Sequence, residues 1–152
     1  MPEIRKYRPE DFEQLWRLDQ ACFSREIAYS RDELAYYLRA PRALCFVAEE
    51  SAEPVGFILG HQQRGGVGHV VTLDVAPHVQ RSSLGSILIQ KLEASLATLG
   101  CDSLMLEVAV NNRAGLSFYK KHGFSVVKTL RRYYPGGLDG LLMRKKLSTQ
   151  LP

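Results

Sequence analysis

The sequence predicts an α/β (α+β) fold in which a mixed, mostly antiparallel sheet of six to seven strands carries helices on both faces. Three observations predict it: candidate strands outnumber candidate helices, three strand-like runs follow one another across short turns, and helical patterns stand both before and after that trio. The 152 residues contain no repeat, low-complexity tract or linker. We therefore expect one domain spanning residues 1–152, long enough to bury a core.

The N-terminal part is predicted to hold one strand and two helices. EIRKY has the pattern of a short strand, and Asp11 stands where it can cap a helix whose apolar residues share one side. Ser30 followed by Glu33 is a capping box for a second helix. The loop ACFSREIAYS between the helices carries aromatic residues that we expect to be exposed.

The middle of the chain is predicted to be an antiparallel meander. The runs ALCFVAEE, PVGFILGHQ and GHVVTLDVAP are strand-like, and residues 50–53 and 63–66 are turn-like joints between them. Gly66 and Gly68 resemble half of a dinucleotide-binding fingerprint. They lead into a strand rather than a helix, so a hairpin turn is the better interpretation.

The remaining elements are a long helix, a strand, a short helix and two strands. Residues 82–99 place six apolar side chains on one helical face, and Gly100 ends that pattern. SLMLEVAV is strand-like, residues 112–121 are helical, and FSVVKTLRRYY and DGLLMRKKL are strands joined around PGG. The predicted order is β-α-α-β-β-β-α-β-α-β-β.

Composition and motif content disfavour several classes of function. The net charge of +4 comes from short basic clusters, and no zinc-finger, RNA-recognition or basic-zipper signature is present, so we expect no nucleic-acid partner. No run approaches the ~18 apolar residues of a membrane span, and the first residues lack the apolar core of a signal peptide. We therefore expect a cytoplasmic protein without a membrane partner. The four histidines show no metal-ligand spacing, and the three cysteines form no CxxC pair, so we expect no metal.

The stretch VQRSSLGSILIQKL, residues 79–92, joins a polar turn directly to a helical pattern. Unpaired N–H groups and the helix dipole favour phosphate at such a start. Gly85 permits close approach of a ligand, and Arg81 adds a charged donor. The alternative is that Ser82 or Ser83 simply caps the helix. The stretch alone leaves both interpretations open.

This turn resembles the acyl-CoA signature of the GNAT acetyltransferase superfamily, Gln/Arg-x-x-Gly-x-Gly/Ala. The resemblance implies acetyl-CoA as acetyl donor, with the pyrophosphate on N–H groups of residues 81–86. The residues concerned are Gln80, Arg81, Ser82, Ser83, Leu84, Gly85 and Ser86. Ser83 departs from the signature at its first glycine. A left-handed conformation there would cost serine roughly 1 kcal/mol, whereas a negative φ would cost little.

The stretch LEVAVNNRAGLSFYKKHGF, residues 106–124, resembles a Leu-Glu-Val…Asn…Tyr…Gly-Phe segment of the bacterial ribosomal-protein-alanine (RimI-like) branch of that superfamily. Glu107, Asn112, Tyr119, Gly123 and Phe124 fall in register with it. The tail RRYYPGGLDGLLMRKKL also resembles that branch. The likeness therefore extends over essentially the whole chain.

The resemblance implies roles for individual residues. Glu107 would be the general base, acting through water, and Tyr119 the general acid that returns a proton to the CoA sulfur. Asn112 would bond the pantetheine arm, and the backbone of Leu73, Asp74 and Val75 would lie along the acetyl-pantetheine. The residues expected to contact the acceptor are Phe23, Tyr29, Tyr133 and Tyr134. Taken singly, Glu107 could be a surface carboxylate, Tyr119 a core residue and Asn112 a helix cap.

Proton chemistry favours an α-amine as acceptor. An α-amine has a pKa near 8 and a lysine side chain a pKa near 10.4. The free energy needed to deprotonate lysine is therefore roughly 3 kcal/mol larger. We expect acetylation of a protein N-terminus by a monomer or homodimer. The alternatives are acetylation of lysine or of a small-molecule amine, and an acyl-CoA-binding module without turnover.

Overall fold

The computed structural model describes residues 2–80 and 82–148, and within them the predicted order of elements is confirmed. The strands are β1 (Glu3–Lys6), β2 (Ala43–Glu50), β3 (Glu53–Gln62), β4 (Val67–Val75), β5 (Ser103–Ala109), β6 (Ser125–Leu130) and β7 (Gly140–Lys146). The helices are α1 (Phe12–Cys22), α2 (Arg31–Arg39), α3 (Leu84–Thr98) and α4 (Arg113–Lys121).

The seven strands form one mixed sheet in the order β1-β2-β3-β4-β5-β7-β6. Neighbours are antiparallel except for β4 and β5, which run parallel. These two strands pair only where Val67–His69 meets Ser103–Met105. Beyond this point the two strands no longer pair with each other, although β4 continues to Val75 and β5 to Ala109. The sheet therefore opens into a gap between their carboxyl ends, which we call the β4–β5 gap.

A β-bulge in β4 sets which side chains face each side of this gap. The register between β3 and β4 shifts after Leu59, so that Val71 is an extra residue in β4. Val70 before the bulge and Leu73 and Val75 after it all pack on the same core, although a regular strand would turn them to opposite faces. The bulge therefore reverses the alternation of β4 where the gap begins.

The two faces of the sheet are covered by different helices. The core under α3 contains Leu88, Leu92 and Leu96, packed on Ile58 and Leu106. On the opposite face, α1 and α2 contribute Leu15, Leu18 and Leu34 against Val47, Phe57 and Leu59. None of the described helices is long and apolar enough to cross a membrane.

Of the caps predicted for α1 and α2, that of α2 is confirmed and that of α1 is wrong. Ser30 and Glu33 form the expected capping box, each side chain bonding the other's backbone N–H. Asp11 immediately precedes α1 but caps none of its N–H groups. Its carboxylate instead binds the Arg5 guanidinium at 2.8 Å and the Arg8 N–H at 2.8 Å. This ion pair holds the pKa of Asp11 below its usual range and ties β1 to α1.

Candidate active site

A cavity of about 640 Å³ occupies the β4–β5 gap. Its walls are Val70–Leu73 of β4, Leu106–Ala109 of β5, the loop between α1 and α2, and Tyr133–Pro135 of the loop between β6 and β7. Eight of the residues to which the sequence analysis gave a role line this one cavity. They are Phe23, Tyr29, Leu73, Glu107, Asn112, Tyr119, Tyr133 and Tyr134.

Glu107 enters the cavity from the face that α1 and α2 cover. Its neighbours Leu106 and Val108 point into the core under α3, so alternation turns Glu107 the other way. Its Oε1 lies 2.7 Å from Nε2 of His69 on β4, and the two side chains are 21% and 17% exposed. Nδ1 of His69 is buried without a partner among the described residues. We assign the tautomer in which Nε2 carries the proton and donates it to Glu107. In this tautomer the unpaired Nδ1 is only an acceptor, and no N–H is buried without a partner.

His69 was not among the predicted site residues, because the histidines had been considered only as metal ligands. The described residues contain no cluster that could hold a metal ion. The signal that could have found His69 is positional: it stands opposite Met105 where β4 and β5 are paired, two residues before Glu107. That pairing depends on the sheet order, which the pattern of strands does not provide.

Tyr119 reaches the cavity from the opposite face. It lies on α4 and packs on the core under α3, with its ring in edge contact with Phe124 at 5.6 Å. Burial raises the pKa of the Tyr119 phenol. The phenol is therefore protonated at physiological pH. A carboxyl group and a protonated phenol thus face one cavity from two sides of the sheet.

Asn112 is the N-cap of α4 and also lines the cavity. Its Oδ1 accepts the Gly115 N–H at 2.9 Å, so the helix-cap interpretation of this residue holds. The cap uses only the amide oxygen. The amide nitrogen has no hydrogen bond among the described residues and remains a donor beside the cavity.

The backbone of β4 presents polar groups to the gap at alternate residues. The Ala76 N–H donates to Val55 at 2.8 Å and continues the ladder with β3. Alternation therefore turns the peptide groups of Val75 and Leu73 away from β3 and toward the gap. Asp74 between them directs its peptide to β3 and buries its carboxyl completely. The Val75 carbonyl already accepts from the Gln80 amide at 3.0 Å and from the Cys22 thiol at 3.2 Å. The Val75 N–H and the N–H and carbonyl of Leu73 are therefore the groups that can bond a ligand in the gap.

The turn before α3 shows which backbone conformation Ser83 adopts. Ser83 has φ −81° and ψ 8°, so serine carries no left-handed strain there, and its side chain caps no N–H. Ser82 makes the local bonds: its hydroxyl donates to Val79 at 2.6 Å and accepts the Leu84 N–H at 3.3 Å. The cap interpretation therefore holds in part, through Ser82, and the phosphate interpretation stays a prediction. Arg81, the expected charged donor, lies outside the described residues.

The first turn of α3 has unpaired donors and is bound to α4. The N–H groups of Gly85 and Ser86 precede the first intrahelical bond and have no partner among the described residues. A Cβ on Gly85 would lie 3.2 Å from the Phe118 ring, so this glycine also serves helix packing. The Ser86 hydroxyl is 2.8 Å from Nε2 of His122. Burial lowers the pKa of His122, which favours the neutral ring.

The aromatic residues expected to contact the acceptor form part of the cavity wall. Tyr133 and Tyr134 stack perpendicularly with centroids 4.9 Å apart, and Tyr133 is half exposed. The loop aromatics expected to be exposed, Phe23 and Tyr29, are partly buried. The expectation was wrong because the loop folds back on β4, where the Tyr29 hydroxyl donates to the Val71 carbonyl at 3.1 Å.

Comparison with known proteins identifies the family. The model of the acetyltransferase (GNAT) family matches residues 11–124. The chain belongs to the GNAT acetyltransferase family. It is accordingly an N-acetyltransferase, with acetyl-CoA as the acetyl donor. This structure fits that donor, because the Leu73 peptide faces the β4–β5 gap and the helix that follows β4 in the chain begins with unpaired N–H groups at Gly85 and Ser86.

Individual relatives agree with this assignment. The chain is 31% identical over 156 residues to an N-alpha-acetyltransferase of Sulfurisphaera tokodaii, covering 95% of this chain and 92% of the relative. The ribosomal-protein-S18-alanine N-acetyltransferase of Escherichia coli superposes with a TM-score of 0.88 at 24% identity, over 99% of this chain and 97% of that one. The PaiA N-acetyltransferase of Thermoplasma acidophilum, solved with coenzyme A, gives 0.80 at 25% identity, over 96% and 99%. The predicted GNAT fold is thereby confirmed.

Proposed function

We propose that this GNAT protein acetylates the N-terminal α-amine of a protein or peptide, as a ribosomal-protein-alanine type of enzyme does. In this proposal Glu107 is the base, acting through water, and Tyr119 is the acid. One observation carries it: the same cavity holds a carboxylate anchored by a histidine on one side and a protonated phenol on the other. The relative named as an N-alpha-acetyltransferase supports the choice of amine.

On the acceptor side, the amine arrives as an ammonium ion and must lose a proton before it can attack. His69 holds Oε1 of Glu107 and leaves Oε2 to accept that proton through a water. Glu107 is thus fixed in orientation by His69.

On the donor side, acetyl-CoA supplies an activated thioester whose sulfur leaves with a negative charge. Tyr119 donates its phenolic proton to that sulfur. Its raised pKa keeps the proton in place until a base as strong as a buried thiolate forms. The peptide N–H groups of Leu73 and Val75 bond the donor in the gap, Asn112 bonds the pantetheine arm, and the N–H groups of Gly85 and Ser86 hold the pyrophosphate.

The acceptor peptide is placed against the aromatic wall of the cavity. Phe23 and Tyr29 come from the loop between α1 and α2 and Tyr133 and Tyr134 from the loop between β6 and β7, and all four line the cavity that also contains Glu107. In this proposal an extended chain contacts these rings and brings its amine toward Glu107. The proposal treats residues 1–152 as one domain that acts as a monomer or homodimer. It requires neither nucleic acid nor a membrane.

Three amine classes test the proposal: peptides with a free N-terminus, the same peptides blocked at the N-terminus but carrying one lysine, and small amines. Acetyl transfer is followed by release of free thiol and by mass spectrometry. We expect turnover on the first class and at most slow turnover on the others. Glu107→Gln should slow the reaction most at low pH, where the amine is charged. Preference for a small amine, or a variant that matches the wild type at every pH, would contradict the proposal.

A further inference from the structure

Two carboxyl groups that the proposed mechanism does not use meet inside the protein. Asp19 on α1 and Asp74 on β4 are both completely buried, and their carboxyls lie within hydrogen-bonding reach of each other. Asp74 follows Leu73, whose peptide faces the β4–β5 gap. Asp19 lies under residues 23–29, which we call the acceptor loop. The pair therefore joins the donor side of the cavity to its acceptor side.

The hydrogen bonds of the four carboxyl oxygens leave one oxygen of each group unpaired. Oδ2 of Asp19 accepts the Tyr29 N–H at 2.8 Å, and Oδ1 of Asp74 accepts the Thr72 hydroxyl at 2.6 Å. The other two oxygens, Oδ1 of Asp19 and Oδ2 of Asp74, are buried without a partner among the described residues. Two ionised carboxylates could not bond each other, since both only accept. A single proton between the two unpaired oxygens satisfies both.

The surroundings offer no other compensation for negative charge. Cys22 on α1, Cys45 on β2, Tyr29 in the acceptor loop and Tyr119 on α4 are the titratable groups that face the pair. Burial raises the pKa of each, that of Cys22 to about 12, so all four are neutral. No lysine or arginine of the described residues forms an ion pair with either carboxyl. Burial, reinforced by Asp19, raises the pKa of Asp74 well above its usual range.

We propose that the proton shared by Asp19 and Asp74 holds the acceptor loop on β4, and that its loss loosens the loop and weakens binding of the acceptor peptide. The pair is a positioning element, and its effect on the acceptor rests on the proposed function. Tyr29 transmits the effect because it is held at three points. Asp19 accepts its N–H, Gln20 donates to its carbonyl at 2.7 Å, and Val71 accepts its hydroxyl.

The sign of the pH dependence follows from the direction of the pKa shift. Because the pKa of Asp74 is raised in the folded protein, the folded state keeps a proton that the unfolded chain has already released. Between the two pKa values, stability falls as pH rises. The loop is held below the raised pKa of Asp74 and is released as pH passes through it.

Asp74→Asn separates the titration from the hydrogen bonds. Its amide N–H can donate to Oδ1 of Asp19, and its oxygen can accept from Thr72, so the variant keeps the link without a titratable proton. Asp74→Leu keeps the branched shape of the side chain and removes the link. Protection of the Tyr29 amide against hydrogen exchange, corrected for the intrinsic rate, is measured from pH 6 to 10 and requires no substrate. Peptide KM is measured over the same range.

We expect Tyr29 protection to fall with pH in the wild type, to stay level in Asp74→Asn and to be low throughout in Asp74→Leu. The rise in wild-type peptide KM from neutral to alkaline pH should exceed that of Asp74→Asn by about tenfold, the effect of one hydrogen bond to a charged group. The change in amine charge is common to both proteins and cancels in this ratio. Parallel protection profiles for wild type and Asp74→Asn would overturn the shared proton. If wild type and Asp74→Asn differ in Tyr29 protection but not in peptide KM, only the role in acceptor binding is overturned. If the wild type acetylates no peptide, the proposed function is overturned instead.

Discussion

His69 should couple energetically to Glu107, and the size of the coupling follows from their contact. The nitrogen-to-oxygen distance of 2.7 Å is that of a charge-assisted hydrogen bond. Hydrogen bonds to charged groups contribute about 1.5–3 kcal/mol, and each 1.4 kcal/mol is about tenfold in rate. Both side chains are about one-fifth exposed, so solvent weakens the bond to the lower half of that range. We expect His69→Ala to lower kcat by about tenfold.

A double-mutant cycle on kcat provides the assay. His69→Ala is measured in the wild type and in a Glu107→Gln background, with a peptide acceptor at saturating acetyl-CoA. The loss should be nearly absent in the second background, since the carboxylate that His69 orients is gone. His69→Gln is the matched control, because its side-chain N–H can still donate and should restore part of the rate. Equal losses in both backgrounds would refute the reasoning, and so would an effect confined to the KM of acetyl-CoA.

Three further predictions concern the donor side and the core. Tyr119→Phe should lower kcat by about 10²–10⁴ with little change in the KM of acetyl-CoA, and unchanged turnover would rule out the acid role. Ser83→Gly should leave acetyl-CoA affinity, measured by calorimetry, unchanged or slightly tighter, because φ is already −81°. A large loss would show that the hydroxyl itself contacts phosphate. Gly60→Ala would place a Cβ 2.7 Å from Leu92 and 2.8 Å from the His69 carbonyl. It should lower the free energy of unfolding by about 1–3 kcal/mol in urea titrations, and wild-type stability would contradict this close approach.

The fold was predictable as far as local pattern determines it. Apolar periodicity and turn residues gave the order of the seven strands and four α-helices found in residues 2–80 and 82–148, because each depends on residues close together in the chain. The parallel contact of β4 with β5, and the bulge at Val71 beside it, depend on residues far apart in the sequence. These long-range features create the cavity.

The candidate site shows the same division. The family resemblance predicted functional roles for Glu107, Asn112 and Tyr119. The structure brings these three residues to one cavity, and their roles stay predictions. His69 is 38 positions from Glu107 and is found only once the sheet is assembled. The contact between Asp74 and Asp19 could not be predicted from the sequence either. Asp19 is a single acidic residue in a helix, and only packing of α1 on β4 buries it.

The most direct test of the central claim is a competition within one molecule. A peptide with a free α-amine and one internal lysine is incubated with the protein and acetyl-CoA below saturation, and the site of acetylation is located by fragment-ion mass spectrometry. The account predicts that the acetyl group is found on the α-amine, and that Glu107→Gln slows its appearance there. Acetylation mainly on the lysine, or equal rates with the wild type and Glu107→Gln, would contradict it.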